Sequence, residues 1–215
     1  MKQITKKELK ELILDGITTE ELKEYDYSHI TDMINMFRNC TLLTSIPHLD
    51  TSKVEDMHGM FYDCTLLTSI PHLDTSNVKD ISFMFVGCTS LTSIPALDTS
   101  NVTDMSSMFV GCSSLTSIPE LDTSNIINME FMFAGCKSLT SIPALDTSNV
   151  LEMGSMFEDC SSLTSIPELD TSNVLDGRDM LANCVNLEHC FYDSKIDYNE
   201  INSIKLRQNY PEYFI

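Results

Sequence analysis

The residues able to do chemistry recur on a single beat. Cysteines stand at Cys40, Cys64, Cys88, Cys112, Cys136, Cys160 and Cys184, always 24 residues apart, with Cys190 alone outside the register. Asp-Thr-Ser begins at Asp50, Asp74, Asp98, Asp122, Asp146 and Asp170, one period after Asp26-Tyr27-Ser28. A second acidic column holds Asp32, Asp56, Asp80, Asp104, Glu152 and Asp176. Such columns suggest thiolate metal clusters or disulfides, carboxylate cation sites, a shared metal at His48 and His72, or an ice- or carbohydrate-binding array of Thr-Ser pairs such as Thr116-Ser117.

The spacing argues against each of these. Six of the seven column cysteines follow Phe-x-x, Cys184 follows Leu181-x-x, and all precede x-x-Leu, so the column belongs to an inward track where a reduced thiol serves as a small apolar residue. There is no C-x-x-C, and an odd-numbered column cannot pair completely. Carboxylates beside Thr, Ser and Asn are suited to capping turns and facing water, and the Gly-rich repeat of calcium-binding solenoids is absent. Two histidines make a poor metal site. Exposed Thr and Ser are the ordinary outward content of a half-buried strand. Serine, aspartate and histidine are all products of the repeat, whereas an enzyme needs a non-repeated constellation of nucleophile, base and orienting group. No catalytic residue, metal or cofactor is expected.

The elements that position these columns follow from one unit, Thr99 to Asp122, TSNVTDMSSMFVGCSSLTSIPELD. Its apolar residues Val102, Met105, Met108, Phe109, Cys112, Leu115, Ile118 and Leu121 step mostly by three. That period fits neither a long helix nor a long strand and suits a coil that turns corners. Pro119 keeps Ile118 out of the α region, so Leu-Thr-Ser-Ile is expected as a short strand and Ser106 to Val110 as one helical or 3₁₀ turn ended by Gly111. One unit cannot bury eight apolar side chains alone; stacked copies can.

Tandem copies of Phe-x-x-Cys-x-x-Leu-x-x-Ile, six intact and a seventh decayed, with Asp-Thr-Ser-Asn-Val-Thr-Asp-Met segments resemble the BspA-like leucine-rich repeat family of bacteria, including its mycoplasma variant. The general leucine-rich formula is met loosely, with L-x-x-I-P in place of L-x-x-L-x-L. The resemblance implies a leucine-rich-type fold and a role in adhesion or recognition, usually at a cell surface. The expected fold is thus a β-rich solenoid, a right-handed leucine-rich-repeat-like stack of about seven 24-residue coils. Residues 1–25 are expected to form an N-terminal helical cap, 26–187 the repeats and 188–215 a C-terminal cap. Thr5-x-x-Glu8 is a capping box for a helix presenting Leu9, Leu12 and Ile13 and ending at Gly16, with Lys6, Lys7 and Lys10 on its wet face.

A formal net charge of -19 disfavours nucleic acid and anionic membranes, both of which need a basic surface. No signal-peptide core or long apolar run is seen, so a soluble, cytoplasmic or particle-associated protein is expected, at a cell surface only if exported without a classical leader. Variation among copies points to contacts with a protein partner. Position 22 of the unit reads His48, His72, Ala96, Glu120, Ala144 and Glu168. Position 9 includes Phe83 and Phe131, which become interface anchors if they point outward. The expected function is non-catalytic protein recognition through these residues. A structural or assembly role in a bacterial or phage particle, and a carbohydrate- or ice-binding Ser/Thr surface, are the alternatives.

Overall fold

Backbone N–H groups at alternate positions of each unit point along a common axis, and the chain is organised by that alternation. The computed structural model describes residues 1–187; the expected C-terminal cap and Cys190 lie outside them. In residues 99–122, Met105 N–H donates to Asn128 O (3.1 Å), Ser107 to Glu130 O (2.8 Å), Phe109 to Met132 O (2.9 Å) and Gly111 to Ala134 O (2.7 Å), all in the next unit. The intervening Met108, Val110 and Cys112 donate to carbonyls three residues back in their own unit. Parallel bridges join Asp32, Asp56, Asp80, Asp104, Asn128, Glu152 and Asp176 in series. Successive units are therefore stacked in register, one 24-residue coil upon the next.

This path needs left-handed backbone twice per coil. Positive φ occurs at Asn35, Gly59, Phe83, Ser107, Phe131, Ser155 and Asp179, and again at Asn39, Asp63, Gly87, Gly111, Gly135, Asp159 and Asn183. The helical or 3₁₀ turn expected over Ser106 to Val110 is consequently replaced by successive tight turns, since either helix requires unbroken negative φ. The expected Leu-Thr-Ser-Ile strand is also not realised. Thr116 N–H donates to Thr92 O (3.2 Å), and this segment contributes that single backbone bond between coils, because the proline after Ile118 holds the chain on an extended path. Among the described residues the strands are two residues each: β1 (Lys2–Gln3) and β2 (Tyr25–Asp26), paired in parallel.

The core is a set of columns. Phe37, Phe61, Phe85, Phe109, Phe133 and Phe157 are fully buried, and their rings stack 5.5–5.6 Å apart with interplanar angles of 3–14°. Offset stacking of this kind adds to the burial of each ring. Methionines flank them in two buried columns, Met105 and Met108 representing the pair. The column cysteines from Cys64 to Cys184 are buried. They also bond: each thiol donates to the carbonyl of a phenylalanine in the preceding coil, Cys112 Sγ to Phe85 O at 3.1 Å and Cys136 Sγ to Phe109 O at 3.2 Å.

The Asp-Thr-Ser-Asn corner assigns one task to each residue. Asp122 Oδ1 accepts from Ser124 N (3.0 Å) and Ser124 Oγ (2.6 Å), closing the turn. Buried Thr123 donates its hydroxyl forward to Asp146 O (2.8 Å), and Asn125 Nδ2 donates backward to Ser100 O (2.8 Å). The first described coil is covered by α1 (Lys6–Leu14) and α2 (Thr19–Leu22), each opened by a capping box, Thr5 with Glu8 and Thr18 with Glu21. Gly16 (φ 87°) ends α1 as the sequence suggests, with Ile17 N–H on Leu12 O and Gly16 N–H on Ile13 O. Lys6 does more than face water. Its Nζ donates to Asp32 Oδ1 (3.1 Å) and Ile34 O (2.9 Å), fastening α1 to the stack.

Two predictions follow from the columns. Burial, the largest effect, pushes the Cys64 and Cys160 thiols up to about 12 and raises Cys88, Cys112 and Cys136 well above the ordinary range. A water-soluble maleimide at neutral pH should therefore leave these five untouched until the chain is unfolded, while half-buried Cys40 reacts in the native state; peptide mapping reads both outcomes. Hydrogen bonds from the following serine hydroxyl and N–H hold Asp26, Asp50, Asp74, Asp98, Asp122 and Asp146 below the usual carboxylate range. Repulsion from neighbouring aspartates is the smaller effect at Asp98 and Asp146. A folded pKa below the unfolded one contributes stability above the unfolded value and loses it as pH falls through the folded one. The melting temperature should hold from neutral pH to about pH 5 and drop below about pH 4; a constant or rising value there contradicts this account.

Candidate functional site

Left-handed backbone suits asparagine, aspartate, serine and glycine, which fill five of the seven described copies of position 9. The other two are Phe83 (φ 58°) and Phe131 (φ 56°). A bulky side chain in this region is an outlier, costing about 1–3 kcal/mol of local strain that the surrounding structure must hold. Both rings stay partly in water, 36% and 38% exposed, while Ser107 on the coil between them is 8% exposed. The outward direction that would make these residues anchors is thus the one they take.

Phe83 leans on its neighbour. Its ring lies 5.2 Å from the His58 ring at 50°. His58 Nδ1 is 2.8 Å from Ser82 Oγ, which donates to Asp80 Oδ1 at 2.6 Å. Serine, histidine and aspartate meet here, but in the wrong order for acyl transfer. A nucleophile needs its proton taken by histidine, which aspartate in turn orients; here the serine proton points at the aspartate, and Ser82 is only 3% exposed. The trio fixes the orientation of His58 beneath Phe83. Spacing alone does not reveal it, because His58 belongs to the coil before Ser82 and Asp80 and meets them across the stack.

His48, His72, Glu120 and Glu168 are all exposed, in a column 13 positions further along the unit than Phe83 and Phe131. The structure therefore splits the sequence-predicted contacts into two columns with the buried Cys and Leu columns between them in the chain. His48 serves the cap as well, its N–H donating to Thr19 Oγ1 (3.1 Å), and it borders a hollow of about 400 Å³ with Tyr25, Tyr27 and Asp50. Among the described residues no group of three or more His, Cys, Asp or Glu is placed to hold a metal.

One feature beside Phe131 escaped the sequence reading. Position 5 carries Thr31, Glu55, Lys79 and Thr103 in the first four coils, then Ile127, Leu151 and Leu175. These three apolar side chains are exposed, 47%, 36% and 71%. Aligning the copies column by column would have revealed the switch, since drift at an outward position has no reason to run apolar three times in succession. Ile127 and Leu151 floor a shallow concavity of about 570 Å³ edged by Asn101, Asn125 and Asn149.

Asp32 is paired with Lys6, Glu55 with Lys79 and Asp176 with Arg178. Among the described residues no cation lies within ion-pair distance of Asp104 or Glu152, while Glu130 and Arg178 approach each other at Gly154 and interact electrostatically.

No helix among the described residues is long and apolar enough to cross a membrane. No curated protein and no solved structure matches the sequence. Over residues 7–118 and 92–194 the sequence matches the family described as Mycoplasma protein of unknown function, DUF285. These overlapping stretches take in nearly all of the stacked coils, and the chain belongs to that Mycoplasma-type repeat family.

Proposed function

We propose that this chain is a non-catalytic protein-recognition module built on a right-handed solenoid of leucine-rich type, akin to the BspA-like repeats, with one outer face presented to a protein partner. The observation that carries this reading is the pair of strained, half-exposed phenylalanines, Phe83 and Phe131, at a position other copies fill with residues that favour the same backbone. Aromatic side chains supply large contact area at little entropic cost, and exposed ones commonly dominate interfaces. Strain kept at a surface site argues for a use there. A Ser/Thr surface for carbohydrate or ice has less support, because hydroxyls such as Thr116 Oγ1 and Thr164 Oγ1 lean on carbonyls of the preceding coil at 3.3 and 3.2 Å.

Asparagine occupies the same backbone conformation at Asn35 (φ 54°), so Phe83→Asn and Phe131→Asn preserve the coil. Together they should change stability by less than ~1 kcal/mol each, relief of strain offsetting lost partial burial. Phe109→Ala, by contrast, should cost about 3–5 kcal/mol through the hole left in the ring column. Chemical denaturation compares the two. In affinity capture from the source organism, a partner retained by the native chain and lost with the double asparagine variant supports recognition by this face. Retention of every partner by that variant refutes it.

A further inference from the structure

The lining of the concavity floored by Ile127 and Leu151 carries no charged side chain. Its asparagines are anchored. Asn101, Asn125 and Asn149 each donate one Nδ2 hydrogen to a carbonyl of the preceding coil, that of Ser76, Ser100 or Ser124, at 2.7–2.8 Å. Asn77 and Asn173 repeat the bond on the coils to either side. A carboxamide holds two N–H donors and an acceptor oxygen, so among the described residues each of these groups keeps one N–H and its Oδ1 unspent. All five side chains are exposed. Each coil thus presents one donor and one acceptor at a place fixed by the stack, beside a strip of exposed aliphatic side chains.

We infer that this groove docks an uncharged, aliphatic-bearing segment of a partner protein in the polyproline II conformation. Its main-chain N–H and C=O groups pair with the Asn101, Asn125 and Asn149 carboxamides, and its apolar side chains rest on Ile127 and Leu151. This rests on the recognition role proposed above and names the chemistry of the partner. Charge narrows the choice first. An anionic segment is repelled by a chain holding 32 acidic against 13 basic residues. A cationic one meets no carboxylate in the lining and gives up hydration there without a counter-charge. A donor and an acceptor on one amide are complemented by another amide, and a polypeptide main chain offers one at nearly every residue. In a helix or sheet those groups are already paired, whereas polyproline II has no internal hydrogen bonds and keeps them free. The repeat lengths agree. Coils stacked at about 4.8 Å set Asn101 and Asn149 about 9.6 Å apart, and one three-residue turn of polyproline II rises about 9.3 Å, so the same side of the segment returns at every second coil. Exchange of water for neutral amides is worth little per bond, and the aliphatic contacts supply the larger share of the affinity.

The test uses the full chain and labelled synthetic peptides of equal length in fluorescence anisotropy at low and physiological salt. The probe repeats leucine–proline–alanine; one control replaces leucine by serine, and another keeps the sequence but carries N-methyl groups on the leucine and alanine nitrogens. The probe should bind about tenfold more tightly than either control and hold its affinity as salt rises. Ile127→Thr with Leu151→Thr, and separately Asn125→Ala with Asn149→Ala, should each weaken it about tenfold. Threonine already occupies the first column at Thr31 and Thr103, and His29 and Lys53 stand in the asparagine column of the first two coils, so the fold requires neither pair. Leu42→Ser, at a residue 84% exposed in a different column, should leave binding unchanged. Equal binding of either control peptide, loss of affinity with salt, insensitivity to either pair of substitutions, tighter binding of the neutral oligosaccharide cellohexaose, or no binding at all overturns the inference. If partner capture still depends on Phe83 and Phe131 while the peptides fail, recognition stands and the polyproline II segment falls. If the peptides bind as expected while capture ignores the phenylalanines, the Phe-centred reading fails and the groove stands.

Discussion

Everything else in this structure depends on a backbone that sends alternate N–H groups into the neighbouring coil. Buried amides must find partners, and a chain that turns every few residues cannot satisfy them within itself as a helix does. Here the donors at Met105, Ser107, Phe109 and Gly111 are satisfied by the next coil and those between them by their own turn. A coil is complete only when a copy of it lies alongside. The 24-residue period is the repeat of this hydrogen-bonded register, and the core columns follow from it: ring meets ring and thiol meets carbonyl because each residue sits over its counterpart.

That constraint also explains where the sequence is free to differ. Inward positions are held by packing against the coils above and below, so Phe, Met, Cys and Leu recur. Corner positions are held by hydrogen bonds, so Asp, Thr, Ser and Asn recur with separate duties. Outward positions are held by neither, and there the coils diverge: Phe at position 9 in two of them, an apolar residue at position 5 in three, and a cation beside Asp32, Glu55 and Asp176. These divergent positions lie on the outer surface, most of them in the central and later coils.

The left-handed positions connect the two levels. A conformation required by the hydrogen-bond alternation is undemanding for Gly111 and costly for Phe131, so the fold turns an ordinary substitution into a strained one. The Ser82, His58 and Asp80 cluster shows a different consequence of stacking. Register alone brings His58 within bonding distance of the Asp80 and Ser82 turn of the next coil, yet the buried serine hydroxyl and its aspartate acceptor make the group a support for an aromatic ring.

Much of this was legible in the residues themselves. The period, the inward track of Phe, Met, Cys and Leu, the corner chemistry of Asp-Thr-Ser-Asn and the capping box at Thr5 and Glu8 are local or strictly periodic, and such features survive in a one-dimensional record. The regular elements expected inside each coil did not appear, because local propensity at Leu-Thr-Ser-Ile and Ser106 to Val110 is overridden by bonds to another coil. Nor could spacing say that the thiols donate to phenylalanine carbonyls, that Lys6 ties α1 to Asp32, or that Ile127 and Leu151 share a concavity with Asn101, Asn125 and Asn149. The sequence by itself determined the repeat and the sidedness of each unit. Tertiary structure decided which outward residues form one surface and which polar groups remain unspent, since both depend on contacts between residues about 24 positions apart.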